Sequence, residues 1–227
     1  VLIDQWPAHV EAMKADGLRV VMPDEDLHTA VRAYHLCDVC ALNQQFDIIL
    51  LAAKSYDTCW LVEFIKPYLK SDGVLVCVQN SLNDEWVAPI IGYTRDIGCT
   101  IELSAEVFTP GIIQRNTNHQ KTWFGLGELN GRITPRLCEI EALMRHTGRV
   151  TLTENIWGLK WTKLINSTMM LGTLGVLGLN ACEATRPGVV DLLIRIGRES
   201  GIPVHISHIK ALGADVRWAS CNIYSTQ

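Results

Sequence analysis

Phe46-Asp-Ile-Ile-Leu-Leu-Ala-Ala53 is a continuous apolar run of strand length, and Gly73-Val-Leu-Val-Cys-Val-Gln-Asn80 is a second. Runs of this kind suit strands covered on both faces, as parallel strands are when helices cross over them. The first run ends at Lys54-Ser-Tyr-Asp-Thr58, and the residues after it, to about position 69, read as a helix. Ser71-Asp-Gly73 then reads as a turn, and a further helix is expected from about Asp84. Strand, helix, strand, helix is the pattern of an α/β layer on a parallel sheet.

Working outward from these runs, Val1-Leu-Ile-Asp4 looks like a strand already under way. Pro7 opens a helix over residues 8–15, and Asp16-Gly17 stops it. Residues 18–22 suit a short strand, whereas residues 39–44 have no clear type. Downstream the pattern changes. Residues 99–108, 111–116 and 121–125 look like strands, 135–146 like a helix and 149–152 like a short strand. From Thr153, whose side chain suits an N-cap, the chain reads as almost wholly helical. The expected organisation is therefore an α/β unit over residues 1–152 and a helical unit over residues 153–227. The chain lacks an initiator methionine and its last residues have no period, so the expectation is a fragment at both ends.

The 227 residues are 48% hydrophobic and 19% charged, with a formal net charge of -4. That leaves no basic footprint for nucleic acid and no lysine-arginine run for an anionic membrane. The longest apolar stretch, residues 169–179, is too short to span a bilayer and carries Gly172, Gly175 and Gly178, which suit close helix packing or a helix break. No signal peptide is recognisable. Eight scattered cysteines, with Cys59, Cys77 and Cys99 inside apolar runs, suit reduced, buried thiols in a cytoplasmic protein. Cys37 and Cys40 form a CxxC with no second pair, and the histidines form no metal-spaced pair, so no metal is expected.

Ligands of doubly wound sheets sit beyond the carboxyl ends of the strands, where Asp4, Lys54 and Asn80 fall. Asp4 suits the acidic residue that meets the adenosine ribose of a dinucleotide; the glycine-rich turn of that motif would lie about 20 residues earlier, upstream of Val1. Gly125-Leu-Gly-Glu-Leu-Asn-Gly131 has the wrong spacing for that turn and reads as a strand end. Asn155-Ile-Trp-Gly-Leu-Lys-Trp-Thr-Lys-Leu-Ile-Asn-Ser-Thr168 puts Lys163 in an otherwise apolar helical run, with Asn166 and Ser167 able to share its face. Such a lysine either lays its stem on the core with its amine in water, or gives a proton to an oxygen that is gaining charge.

Together these residues resemble the ketopantoate reductase family: Phe46 to Thr58, then Gln79-Asn80, then Lys160-Trp-Thr-Lys-Leu-Ile-Asn-Ser167, in that order, the resemblance running to about Ser200. It implies a Rossmann-type dinucleotide-binding domain, N-terminally incomplete here, followed by an incomplete all-helical C-terminal domain, with the active site between them. It also implies reduction of 2-dehydropantoate to pantoate with NADPH, a step towards pantothenate and coenzyme A. Lys163 would be the general acid, Asn80, Asn166 and Ser167 would hold the substrate, and Asp4, Lys54 and Asn80 would lie along the cofactor. The chain departs from the family at Ser167, where an asparagine is usual, and at Ser81, where glycine often follows Gln-Asn. The family's later helices have no clear counterpart after Gly201. The family suggests NADP and the carboxylate of Asp4 suggests NAD, because it would repel a 2′-phosphate. The expected partner is a small 2-keto acid, with no nucleic acid and no membrane, and a homo-oligomer is compatible with the reading. The rivals are a related dehydrogenase for another small 2-keto or 3-hydroxy acid and a non-catalytic dinucleotide-binding protein.

Overall fold

A computed structural model describes residues 1–199. In chain order it holds β1 (Leu2–Asp4), α1 (Pro7–Asp16), β2 (Leu18–Val21), β3 (Asp26–Thr29), β4 (Ala33–His35), β5 (Phe46–Leu51), α2 (Thr58–Ile65), β6 (Leu69–Cys77), α3 (Asp84–Ile91), β7 (Asp96–Glu102), β8 (Ala105–Thr109), β9 (Ile112–Arg115), β10 (Trp123–Glu128), α4 (Pro135–Met144), β11 (Arg149–Leu152), α5 (Ile156–Ser167), α6 (Thr173–Leu177) and α7 (Val189–Glu199). The central sheet has the order β11-β10-β7-β6-β5. Within it β5, β6 and β7 run parallel, β10 runs antiparallel to β7, and β11 is parallel to β10. The arrangement is a mixed α/β core of Rossmann type.

Strand alternation divides the core into two clusters. Leu75 and Cys77 of β6 face α2 and α3, with Val62, Ile65, Val87 and Ile91 closing that side. Val74, Val76, Ile97, Cys99, Phe124 and Leu126 face the other way, against Leu137, Ile140 and Met144 of α4. Each fully buried leucine or isoleucine here contributes about 1.5–3 kcal/mol of transfer free energy. β5 departs from the expectation of a strand covered on both faces: Leu50 is 48% exposed. β5 is the edge of the sheet, and α4 packs over β10 and β11 at the far side, so no described helix lies above Leu50. The expected turn at Ser71-Asp-Gly73 lies inside β6, where the pairing steps from Phe46 opposite Leu69 to Ile48 opposite Val74 and absorbs the intervening residues as a bulge. The expected strand over residues 99–108 is two strands, β7 and β8, parted at Leu103-Ser104.

β1 and β4 form their own parallel pair, and Ile3 packs on the cluster that includes Leu51 and Val39. A small sheet of order β3-β2-β9-β8 completes the strands; Gly111 N donates to His9 Nδ1 of α1 at 2.9 Å and ties the hairpin of β8 and β9 to that helix. The ambiguous residues near position 40 form a 3-10 turn, Leu36–Ala41.

After β11 every described element is helical, as expected. The cap of α5 differs from the expectation. Thr153 N donates to Leu126 O at 2.9 Å, which keeps Thr153 in the sheet ladder, and the helix starts two residues later on Asn155, whose Oδ1 accepts from Gly158 N at 2.9 Å. α5 continues through a π-helical turn, Thr168–Gly172, into α6, which ends at Gly178 with φ 64°. Met169, Met170, Leu174, Leu193 and Ile194 make a third cluster between these turns and α7. Of the thiols expected to be buried, Cys77 and Cys99 are; Cys59 is exposed, because α2 buries Thr58, Val62 and Ile65 and turns Cys59 outward. No described helix is long and apolar enough to cross a membrane.

Candidate active site

Because β5, β6 and β7 are parallel, their carboxyl ends share one edge of the sheet. Lys54 follows β5 and Asn80 follows β6, and both side chains are exposed there. The loops that carry them are joined from beneath by two buried amides. Asn83 Nδ2 donates to Ser55 Oγ and to the carbonyl of Asn80, both at 2.9 Å. Gln79 Nε2 donates to Ala53 O at 2.6 Å and to Thr58 Oγ1 at 2.9 Å. Buried amides satisfied in this way hold the loop backbones while the side chains of Lys54 and Asn80 stay free for a ligand. Asn83 was not legible as a site residue; its signal was its place three residues after Asn80, at the start of α3.

The third strand, β7, receives α5. A Cβ on Gly98 would lie 2.5 Å from Ile156 Cγ1, one on Gly127 would lie 2.8 Å from Ile156 Cβ, and one on Gly125 would run into Leu159 Cδ2. Glycine at these three positions lets the helix seat directly on β7 and β10. In the ladder Gly98 is opposite Gly127, Thr100 opposite Gly125 and Glu102 opposite Trp123. Ile156 over the first pair and Leu159 over the second set the helix on course for the carboxyl edge, with Lys163 a turn further on. The structure therefore brings Lys54, Asn80 and Lys163 to one edge.

Lys163 is half-buried, and burial pushes its pKa down, with the charge of Glu102 acting in the opposite sense. Asn166 and Ser167 are half-buried on the next turn of α5. Asp4 ends β1, where its Oδ1 accepts from Trp6 N at 2.7 Å; among the described residues no hydrogen bond or ion pair joins it to Lys54, Asn80 or Lys163.

Among the described residues the lysine most removed from water is Lys160, at 3% exposure, and sequence reading passed over it. Its ammonium pairs with Asp84 Oδ2 at the start of α3. Burial opposes that charge, but the carboxylate of Asp84, which accepts the ammonium's hydrogen bond, holds it, so the Lys160 pKa moves up. Asp96 lies nearby, fully buried, with neither oxygen hydrogen-bonded. Burial, with the charge of Asp84, pushes its carboxyl up to about 8. Burial also raises the thiols of Cys77 and of Cys99, the latter to about 12. Inert thiols and a neutral acid around one ion pair make an anchor for α5, not a reactive centre.

A lysine and an amide at the carboxyl edge of the parallel strands, and a helix delivering a second lysine to the same edge, stand where open α/β sheets receive their ligands. The model of the family described as ketopantoate reductase PanE/ApbA matches residues 1–128, and the chain belongs to that family. A model of S-adenosyl-L-homocysteine hydrolase matches residues 201–227, outside the described residues. A 2-dehydropantoate 2-reductase of Nostoc sp. is 28% identical over 160 residues, which cover 68% of this chain and 49% of that protein, so the chain spans about half of that relative. The crystal structure of 2-dehydropantoate 2-reductase from Geobacter metallireducens GS-15 has the same fold, with a TM-score of 0.80 at 20% identity over 93% of this chain and 73% of its own. D-mandelate dehydrogenase, in a ternary structure with NADH and anilino(oxo)acetate, shares it too, with a TM-score of 0.73 at 16% identity over 93% of this chain and 70% of its own.

Proposed function

We propose that the chain carries much of an NAD(P)H-dependent reductase of a small 2-keto acid, with 2-dehydropantoate, reduced to pantoate, as the first substrate to try. The carrying observation is Lys163: a half-buried ammonium delivered by α5 to the edge where Lys54 and Asn80 stand free. Asp4, Lys54 and Asn80 fit a nicotinamide dinucleotide by chemistry, the first as an acceptor for ribose hydroxyls, the others as donors to phosphate or carboxamide oxygens. The reduced nicotinamide supplies the hydride when bound. Lys163 gives its proton to the ketone oxygen, so the carbonyl becomes a hydroxyl, and the amine recovers a proton from water. Burial brings its pKa closer to the working range, which eases that transfer. Asn80, Asn166 and Ser167 present donors to the substrate carboxylate and hydroxyls. In this reading residues 1–152 hold the cofactor and residues 153–227 contribute the acid.

A second reading, a reductase for a different 2-keto acid, is favoured by the mandelate dehydrogenase likeness and by Ser167 in place of the usual asparagine. The test is NADH and NADPH oxidation with 2-dehydropantoate and a panel of other 2-keto acids, on the chain alone and on a polypeptide extended upstream of Val1. Lys163→Ala should lower turnover by about 10²–10⁴-fold while cofactor binding holds. Loss of cofactor binding with unchanged turnover per bound complex would remove Lys163 from the acid's role. The better of the two cofactors decides what Asp4 does.

A further inference from the structure

Glu102, at the end of β7, takes no part in the reading above. The side taken by each β7 residue follows from Gly98, whose Cβ direction runs into Ile156 Cγ1 and lies 3.3 Å from Asp84 Oδ1. Even-numbered residues of the strand therefore point towards α3 and α5, whereas Ile97 and Cys99 belong to the cluster beneath α4. Along the even face run Asp96, Gly98, Thr100 and Glu102.

α5 travels along the same face in the same direction, from Ile156 over Gly98 to Leu159 over Gly125, the partner of Thr100. Lys163 lies about 10 Å along the helix from Ile156. Glu102 lies about 13 Å along the strand from Gly98. Both reach the carboxyl edge together. Among the described residues, few charged or titratable groups face Lys163. β7 offers Glu102, while Cys99 lies on the opposite face as a buried, neutral thiol; α5 itself offers Lys160, whose charge is taken up by Asp84 of α3; β10 presents Trp123 and Gly125, which carry no charge.

We propose that Glu102 is the positioning carboxylate of Lys163, holding its ammonium over the carboxyl edge and keeping it charged while a ketone is bound. The role rests on Lys163 as the general acid. Burial drives Lys163 towards the neutral amine, and Glu102 opposes it. Without the Glu102 charge, Lys163 sheds its proton at lower pH and fails as an acid earlier on the alkaline side.

The experiment uses the 227-residue chain with its lysines methylated with ¹³C, the Lys163 signal being assigned by its loss in Lys163→Arg. The titration of that signal is followed in Glu102→Gln, a neutral isostere, and in Glu102→Asp, which keeps the charge. Glu102 is exposed, so Glu102→Gln should melt with the unsubstituted chain. The expected result is a lower Lys163 midpoint in Glu102→Gln, largely restored in Glu102→Asp, with the other lysine signals in place. Turnover measured beside it should show its alkaline limb moving to lower pH in Glu102→Gln, with KM for the cofactor unchanged. A Lys163 midpoint that does not move in Glu102→Gln overturns the proposal. A midpoint that moves in a protein reducing no 2-keto acid upholds the pairing and counts against the reductase reading instead.

Discussion

Asp96 sits on the buried face of β7 without a hydrogen bond to either oxygen, and its carboxyl titrates near 8, well above the ordinary 3.8. The folded protein therefore keeps a proton that the unfolded chain releases above about pH 4. Between about 4 and 8 the folded state binds more protons, so stability falls as pH rises through that window, with a slope of about 1 kcal/mol per pH unit from this group. Asp96→Asn should flatten that slope in urea unfolding followed across the window; an unchanged slope would mean that Asp96 is not the group responsible. Ser81 is a second residue at odds with its surroundings. It adopts φ 69°, the region that suits glycine, in the loop between Asn80 and α3. The departure from the family's usual glycine is thus a matter of backbone conformation. Ser81→Gly should raise the unfolding free energy by about 1 kcal/mol, read from denaturant midpoints at constant slope, and Ser81→Val should lower it.

At the scale of elements, the seating of α5 decides where Lys163 arrives. Gly127 is the least forgiving of the three glycines beneath it, because an added Cβ would lie 2.8 Å from the Thr153 carbonyl oxygen, which is backbone and cannot rotate away. At Gly125 the obstructions are side chains alone, Leu159 Cδ2 and, at 2.9 Å, the Trp123 ring. Gly127→Ala should therefore cost about 2–3 kcal/mol in chemical denaturation and Gly125→Ala less, in keeping with the usual cost of overpacking. Equal costs would mean that the helix shifts as a body. The elements themselves were largely legible: β11 and the start of α3 fall where the local pattern puts them. The cap of α5 was not. Thr153 has the side chain of an N-cap, but its backbone N–H is already committed to Leu126, a partner distant in sequence.

For the whole molecule, the Lys160–Asp84 pair is the buried link between α5 and α3. Removing one partner leaves an unpaired charge in the interior, so Lys160→Met should cost about 3–5 kcal/mol, and Lys160→Met with Asp84→Leu should recover most of it, since an apolar pair of similar volume avoids both desolvation penalties. Calorimetric melts of the two proteins decide the matter. A double variant as unstable as the single one would mean that the pair does more than neutralise itself.

Periodicity and residue type, which act over a few neighbours, were enough for most of the strands and helices, the α/β class with a parallel sheet, and the placing of Lys54 and Asn80 at strand ends, but not for the short strands β3 and β4. Which lysine is buried was beyond their reach. Lys160 and Lys163 sit in the same apolar run, and only the glycine seat on β7 and β10 sets the helix phase that sends Lys160 to Asp84 and Lys163 to the edge. The exposure of Leu50 and the facing of Glu102 to α5 were likewise decided in the tertiary structure, because they depend on which strand forms the sheet edge and which helix crosses it. Those are contacts between residues far apart in the chain, and no local pattern records them.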